Sequence, residues 1–213
     1  MGRARALTLA LLAGAALAAP AGARSGAAGA TAERLAATRV LLDRLRASGR
    51  AEAAVRTIRP DPLGAGTRVV TGRLALEPPH FARLDLSSGE QLTLRADGGD
   101  WLQPAARQLV RAGARSAGVA LAWWGVLLES GSGRFRERAA GPRSFVLTPA
   151  DSDAAGPPRV TLGAGGLPER IEVEDAAGER VTWRLAAWRF RRPRGRAAFL
   201  LQAPPGYDVV ELP

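Results

Sequence analysis

The stretch Thr67–Leu102, T-R-V-V-T-G-R-L-A-L-E-P-P-H-F-A-R-L-D-L-S-S-G-E-Q-L-T-L-R-A-D-G-G-D-W-L, contains three consecutive runs in which apolar and polar residues alternate. Such alternation is typical of a half-buried β-strand, because successive side chains point to opposite faces of a sheet. The apolar sets are Val70, Leu74 and Leu76, then Ala82, Leu84 and Leu86, then Leu92, Leu94 and Ala96. Turn-forming residues separate them, namely Pro78-Pro79, Ser87-Ser88-Gly89 and Asp97-Gly98-Gly99. The stretch therefore predicts an antiparallel meander.

The sequence on either side of this meander predicts further strands and two helices. A first helix is predicted over 31–48, with an apolar stripe that includes Leu42 and Leu45 and with Gly49 at its end. The further strands are predicted at 51–59, 107–111, 134–138, 144–149, 159–162, 169–174, 180–190 and 197–202. About ten or eleven strands with so few helices predict a mainly β fold with some helix. We expect an incomplete, half-open antiparallel β-barrel whose concave side is covered by helices.

The second predicted helix, Ala117–Leu128, has the sequence A-G-V-A-L-A-W-W-G-V-L-L and carries no charge. It is too short to span a bilayer comfortably, and it is apolar on nearly all sides, which indicates burial on more than one side. Two interpretations remain open: a core helix, or a helix that plugs or lids an apolar cavity.

The N-terminus has the features of a secretory signal peptide. Arg3 and Arg5 precede an uncharged apolar run, and small residues allow cleavage after Ala18 or after Ala23. We therefore expect residues 1–23 to be a cleaved signal, 24–30 a linker, and 31–213 a single domain. The chain has no cysteine to form a disulfide or carry a lipid. These features predict an exported, periplasmic protein.

The chain is strongly basic: 30 basic residues, all of them arginine, outnumber 20 acidic residues and give a formal net charge of +10. Arginines lie along the whole chain, mostly at the polar positions of predicted strands. They indicate either a solvated face or attraction to lipid headgroups or a membrane partner. No basic block alternates with aromatic residues, so we expect no nucleic-acid binding.

Catalytic patterns are weak in this sequence. His80 is the only histidine, so a Ser-His-Asp triad has no base other than this residue, and a zinc site lacks its usual ligands. Residues 163–166 (G-A-G-G) lack the Lys-Ser/Thr of a phosphate-binding loop and indicate a turn. We therefore expect neither an enzyme nor a metal or other cofactor.

The order of several motifs resembles that of a known family. After the signal peptide and first helix come V-V-T-G-R-L-A-L-E-P-P-H-F, A-D-G-G-D-W-L, W-W-G-V-L-L, F-V-L-T-P and finally F-L-L-Q-A-P-P-G-Y-D-V-V. The chain resembles the periplasmic outer-membrane lipoprotein carriers (the Lol-type carriers) over nearly all of its mature length. The resemblance implies a monomeric half-barrel that holds the acyl chains of lipoproteins. Its implied partners are acylated lipoproteins, an inner-membrane ATP-driven lipoprotein exporter and an outer-membrane lipoprotein receptor.

The resemblance also implies roles for particular residues. Phe81 matches a cavity aromatic of the family, and Trp101 matches another apolar position. With the inward sets of the strands, the expected lipid-binding cavity consists of Leu74, Leu76, Phe81, Leu84, Leu92, Leu94, Trp101, Phe145, Leu147, Ile171, Val173 and Trp183. The expected lid consists of Trp123, Trp124, Leu127 and Leu128.

One position departs from the family. A basic residue that serves lid closure and exporter contact often precedes the proline, but here the residue is Glu77, with Arg83 or Arg73 as substitutes nearby. A second function stays open from the sequence: a periplasmic lipid- or lipoprotein-sensing domain that binds on the same half-barrel without transport.

Overall fold

The computed structural model describes residues 35–61, 66–113, 127–128, 135–149, 157–174 and 179–212. These residues form one sheet of twelve strands. The strands are β1 Arg50–Pro60, β2 Thr67–Glu77, β3 Phe81–Leu86, β4 Gln91–Arg95, β5 Gly98–Gln103, β6 Gln108–Gly113, β7 Phe135–Gly141, β8 Ser144–Pro149, β9 Arg159–Leu162, β10 Pro168–Glu174, β11 Arg180–Arg191 and β12 Asp208–Leu212. Helix α1 spans Arg39–Ser48, and Leu127 and Leu128 are also helical.

The strand order is β12-β6-β5-β4-β3-β2-β1-β11-β10-β9-β8-β7. Because β12 and β7 lie at the two ends of this order, the sheet is open, and the predicted mainly β, half-open architecture is confirmed. Neighbouring strands are antiparallel except β12 and β6, which are parallel. The predicted antiparallel meander is present as β2-β3-β4, continued by β5, and its apolar sets lie side by side, with Leu74 opposite Leu84 and Leu84 opposite Leu92.

Helix α1 packs on one face of the sheet, over β1 and β11. Its apolar stripe is buried, with Leu41 and Leu45 at 0% exposure. The helix ends at Gly49, whose backbone N–H donates to the Leu45 carbonyl and whose φ of 87° lies in the left-handed region that glycine adopts without strain. Within the described residues, no helix is long and apolar enough to cross a membrane.

The predicted strand at 197–202 is wrong. The chain there forms a short 3-10 turn, Arg196–Phe199, and then runs extended without joining the sheet. Side chains satisfy its backbone in place of a neighbouring strand: Arg83 donates to the Ala198 carbonyl (2.9 Å), and the Leu201 amide donates to Asp100 (3.1 Å). The twelfth strand instead comes from the following residues, Asp208–Leu212, which pair with β6.

The Asp97-Gly98-Gly99 turn is also shorter than predicted. β4 ends at Arg95, and Gly98 already belongs to β5. A Cβ on Gly98 would lie within 2.2 Å of the Ala112 carbonyl oxygen on β6, and its φ is 144°. Only glycine allows the two strands to approach this closely.

Candidate functional site

The face of the sheet that α1 covers is called here the inner face, and it carries nearly all of the predicted cavity residues. Leu92 of β4 lies opposite Trp101 of β5. On the other side of β1, Trp183 of β11 lies opposite Ile171 of β10. Val160 of β9 lies between Ile171 and Phe145 of β8 and is opposite both. The residues brought together on the inner face are Leu74, Leu76, Leu84, Leu92, Leu94, Trp101, Phe145, Leu147, Ile171, Val173 and Trp183.

Phe81 is the exception, and its expected position is corrected. It lies opposite Glu77 in the β2–β3 ladder, on the outer face of the sheet. Its ring packs against Phe199, with the centroids 5.2 Å apart and the ring planes inclined by 32°. Alternation gives the reason: Phe81 shares its parity with Arg83, whereas the inward residues of β3 are Ala82 and Leu84.

The predicted lid is only partly described. Leu127 is helical, fully buried and part of the core on the inner face, and Leu128 packs against the same core. Trp123 and Trp124 lie outside the described residues. The contacts of Leu127 with the core are compatible with both interpretations of the apolar helix.

The inner face is not covered evenly. Beneath α1 the side chains are buried, and Leu185 of β11 is 2% exposed. Over β3, β4 and β5 the inner side chains Leu86, Leu92, Leu94 and Trp101 are only half-buried. A shallow surface depression lies here, lined by Leu74, Ala82, Arg83, Leu84, Leu92, Thr93 and Leu94. This part of the inner face is therefore more accessible than the part beneath α1, as are Phe145, Val173 and Trp183 at the other end of the sheet, which are also half-buried.

Contacts at both ends fix α1 over the sheet. At its start, the Glu137 carboxylate of edge strand β7 accepts hydrogen bonds from the amides of Ala36 (3.2 Å) and Ala37 (2.8 Å). At its end, Gly49 packs so closely on Pro193 that a Cβ would lie 2.4 Å from the proline ring. Glu137 was missed by sequence reasoning, but its signal was present: a carboxylate at the inward parity of a strand.

Glu77 has a structural role on the outer face. It is 2% exposed, and its carboxylate accepts hydrogen bonds from the amides of Arg194 (2.8 Å) and Gly195 (3.1 Å). It also faces Arg50, with 3.6 Å between the charged atoms. These contacts hold the beginning of residues 192–207, here called the C-terminal strap, which crosses the outer face before β12.

A second carboxylate holds the middle of the strap. Asp100, 3% exposed, is bound by Arg95 at 2.8 Å, and Arg95 also donates to the Phe199 carbonyl at 3.1 Å. Burial acts to lower the pKa of Arg95, but the hydrogen bond and charge of Asp100 outweigh it, so the pKa is raised overall. Burial likewise acts to raise the pKa of Asp97, which falls overall because of its backbone hydrogen bond and the charges of Arg196 and Arg95.

This fold is similar to a LolA superfamily protein. That structure, from Nitrosomonas europaea, matches with a TM-score of 0.43 and 11% sequence identity, over 77% of this chain and 97% of the other. An uncharacterized conserved protein from Thermus thermophilus matches at 0.48 and 16%, over 82% and 98% of the two chains. A DUF1329 family protein from Desulfovibrio piger matches at 0.46 and 8%, over 78% and 95%. No protein-family profile and no curated protein matches this sequence.

Proposed function

We propose that this protein binds the acyl chains of lipoproteins on its inner face and carries them across the periplasm. The observation that carries the proposal is the convergence of eleven apolar side chains on one face of an open sheet. The motif order that resembles the lipoprotein carriers supports the same function. In this proposal the cargo is taken from an inner-membrane ATP-driven exporter and passed to an outer-membrane receptor, and the N-terminal segment directs export.

Such a carrier must shield the acyl chains of its cargo from water. Each methylene group of an acyl chain that leaves water contributes about 0.8 kcal/mol, so a chain crosses an aqueous compartment only inside an apolar cover. An open sheet offers a long apolar face with polar backbone groups already paired within the strands. The outer positions of the same strands carry arginine and other polar residues, which keep the exterior wettable.

We place the entrance over β3, β4 and β5. Leu92, Leu94 and Trp101 are half-buried there, so less packing has to be displaced than beneath α1. The two anchors of α1, at Glu137 and Pro193, favour a helix that stays in place while cargo enters beside it. The apolar segment 117–128 is the proposed moving cover.

Binding is tested with a fluorescent fatty acid and the purified mature protein. In Leu94→Glu a carboxylate must be desolvated where the acyl chain sits, which costs several kcal/mol, so we expect a loss of probe affinity of at least about 100-fold. The matched control is Val69→Glu, which places the same charge on the outer face at a position that is 43% exposed. Equal affinity of both variants and the unmodified protein would contradict a lipid site on the inner face.

Transport needs a separate test. Spheroplasts that contain the protein's own exporter are mixed with the mature protein, and newly made lipoprotein in the supernatant is measured. We expect release by the unmodified protein and none by Leu94→Glu. Probe binding without any release would support the sensing domain instead of the carrier.

A further inference from the structure

The outer face of the sheet carries a row of exposed arginines from β2 to the edge strand β7. Arg56 lies directly opposite Arg184, and Arg159 and Arg138 both lie opposite Val146. This set, here called the arginine stripe, consists of Arg73, Arg56, Arg184, Arg159 and Arg138, all of them exposed. It crosses six interstrand spacings, or about 29 Å at 4.8 Å each.

Within the described part of the chain, the arginine stripe forms no ion pair. Two carboxylates lie directly opposite stripe arginines, but each is bound by a different arginine: Asp85, opposite Arg73, by Arg83 at 3.0 Å, and Glu172, opposite Arg159, by Arg170 at 2.8 Å. Glu52 is likewise bound by Arg50 at 2.6 Å. Glu174 lies at the margin, opposite Arg180. In the described part of this face the arginines outnumber the carboxylates, so the stripe keeps an excess of positive charge.

The direct pairing of Arg56 with Arg184 is unfavourable for the isolated protein. Like charges on opposite residues of neighbouring strands destabilise a sheet, and acidic or neutral residues at either position would remove the repulsion. An external anion removes it too. The pairing thus favours a ligand that brings several negative charges to one sheet face.

Neighbouring apolar residues indicate which kind of anion fits. Val69 is 43% exposed on the outer face and lies opposite the half-buried Ile58, next to Arg56 along β1. Arginines around a small apolar patch match the interface of an anionic bilayer, where phosphates lie above acyl chains. Guanidinium groups bind phosphate in a bidentate manner, and arginines spread over five strands of one sheet face suit a laterally continuous surface.

We propose that the arginine stripe docks the protein on membranes through the phosphates of anionic lipids. The contact is electrostatic and reversible, so it weakens as salt rises. It uses the face opposite to the proposed acyl site, and it does not depend on that site.

The test is sedimentation of the purified mature protein with vesicles of phosphatidylglycerol and phosphatidylcholine, compared with phosphatidylcholine alone. We expect binding to the anionic vesicles at about 50 mM salt and its loss near 500 mM, where screening shortens the range of the interaction to a few ångströms. Each arginine near the surface should change the partition about fivefold, so Arg56→Glu with Arg184→Glu should weaken it at least about 25-fold.

Two controls test whether the loss of vesicle binding depends on the location of the arginines, and not on net charge or on loss of folding. Arg39→Glu with Arg107→Glu changes the net charge equally at exposed positions outside the stripe, and it should retain most of the binding. The neutral pair Arg56→Gln with Arg184→Gln should lose an intermediate amount while remaining folded by circular dichroism. In all variants, fatty-acid binding to the inner face should stay unchanged.

Three results would overturn the proposal. The first is no sedimentation with anionic vesicles, and the second is an equal loss in the Arg39/Arg107 control. The third is binding to a soluble acidic polypeptide such as polyglutamate in the absence of vesicle binding, which would assign the stripe to an acidic protein partner. None of these results bears on the acyl site, because its own probe is read separately.

Discussion

On the outer face of β3 and β4, the guanidinium groups of Arg83 and Arg95 contact carboxylates and the backbone of the C-terminal strap. On the same face of β1 and β11, Arg56 and Arg184 are exposed and form no ion pair in the described residues. The two regions share one sheet, one face and one type of charged residue. They differ in what covers them, since the strap crosses only the first.

Cover explains why one set of arginines is paired. Arg95 is 11% exposed, and a charge so far removed from water is tolerated only with a partner and further hydrogen bonds. The uncovered arginines are hydrated, so folding places no such requirement on them. Burial together with pairing therefore marks structural arginines in this protein, whereas a cluster of exposed, unpaired arginines is available for an external ligand.

The largest expected effect lies in the covered region. Asp100→Ala leaves the buried Arg95 without its main partner and frees the Leu201 amide, so we expect a loss of about 3–5 kcal/mol in the free energy of unfolding. Urea denaturation measures it. Asp85→Ala is the control, because Asp85 is 40% exposed beside Arg83 and its removal should cost less than about 1 kcal/mol. Similar losses in both variants would show that burial does not determine how much these ion pairs contribute to the free energy of unfolding.

Glu77→Gln tests the other end of the strap. The carboxylate accepts two backbone hydrogen bonds, and a glutamine side chain has one acceptor oxygen, so one amide loses its partner. We expect a loss of about 1–3 kcal/mol and faster hydrogen exchange at Arg194 and Gly195. Glu211→Gln, at a carboxylate that is 69% exposed beside Arg111, should change the stability by less than about 0.5 kcal/mol. Unchanged exchange at the two strap amides would remove Glu77 from this role.

The third prediction concerns the Phe81–Phe199 contact, whose contribution to stability should be smaller than the two above. A double-mutant cycle with Phe81→Ala and Phe199→Ala should give a coupling of about 0.5–1.5 kcal/mol, the usual range for an aromatic pair. Phe81→Leu should leave fatty-acid binding unchanged, since Phe81 faces away from the inner face. If Phe81→Leu folds normally and abolishes binding of the fluorescent fatty acid, the cavity assignment drawn from the family resemblance would be restored.

For Phe81, the alternation of apolar and polar residues and the family resemblance predict opposite faces of the sheet. Alternation alone put Ala82 and Leu84 on the apolar side and placed Phe81 with Arg83 on the other, but the family resemblance assigned Phe81 to the cavity. The meander, the α1 stripe and the open sheet follow from local periodicity, and all were predicted correctly. The strap was not, because its extended backbone bonds to Arg83, Arg95, Asp100 and Glu77, which are distant in the chain and leave no periodic signal.

The smallest effect has the opposite sign and lies in the arginine stripe. Arg184→Gln removes the repulsion across the β1–β11 pair without breaking any ion pair of the described residues, so we expect a gain of a few tenths of a kcal/mol. Arg95→Gln is the matched substitution beneath the strap, and it should destabilise by several kcal/mol because it leaves Asp100 buried and uncompensated. The gain at position 184 should disappear at high salt, since exposed charges are screened. If Arg184→Gln destabilises the protein as Arg95→Gln does, Arg184 has a structural partner, and the distinction between the two regions of the outer face fails.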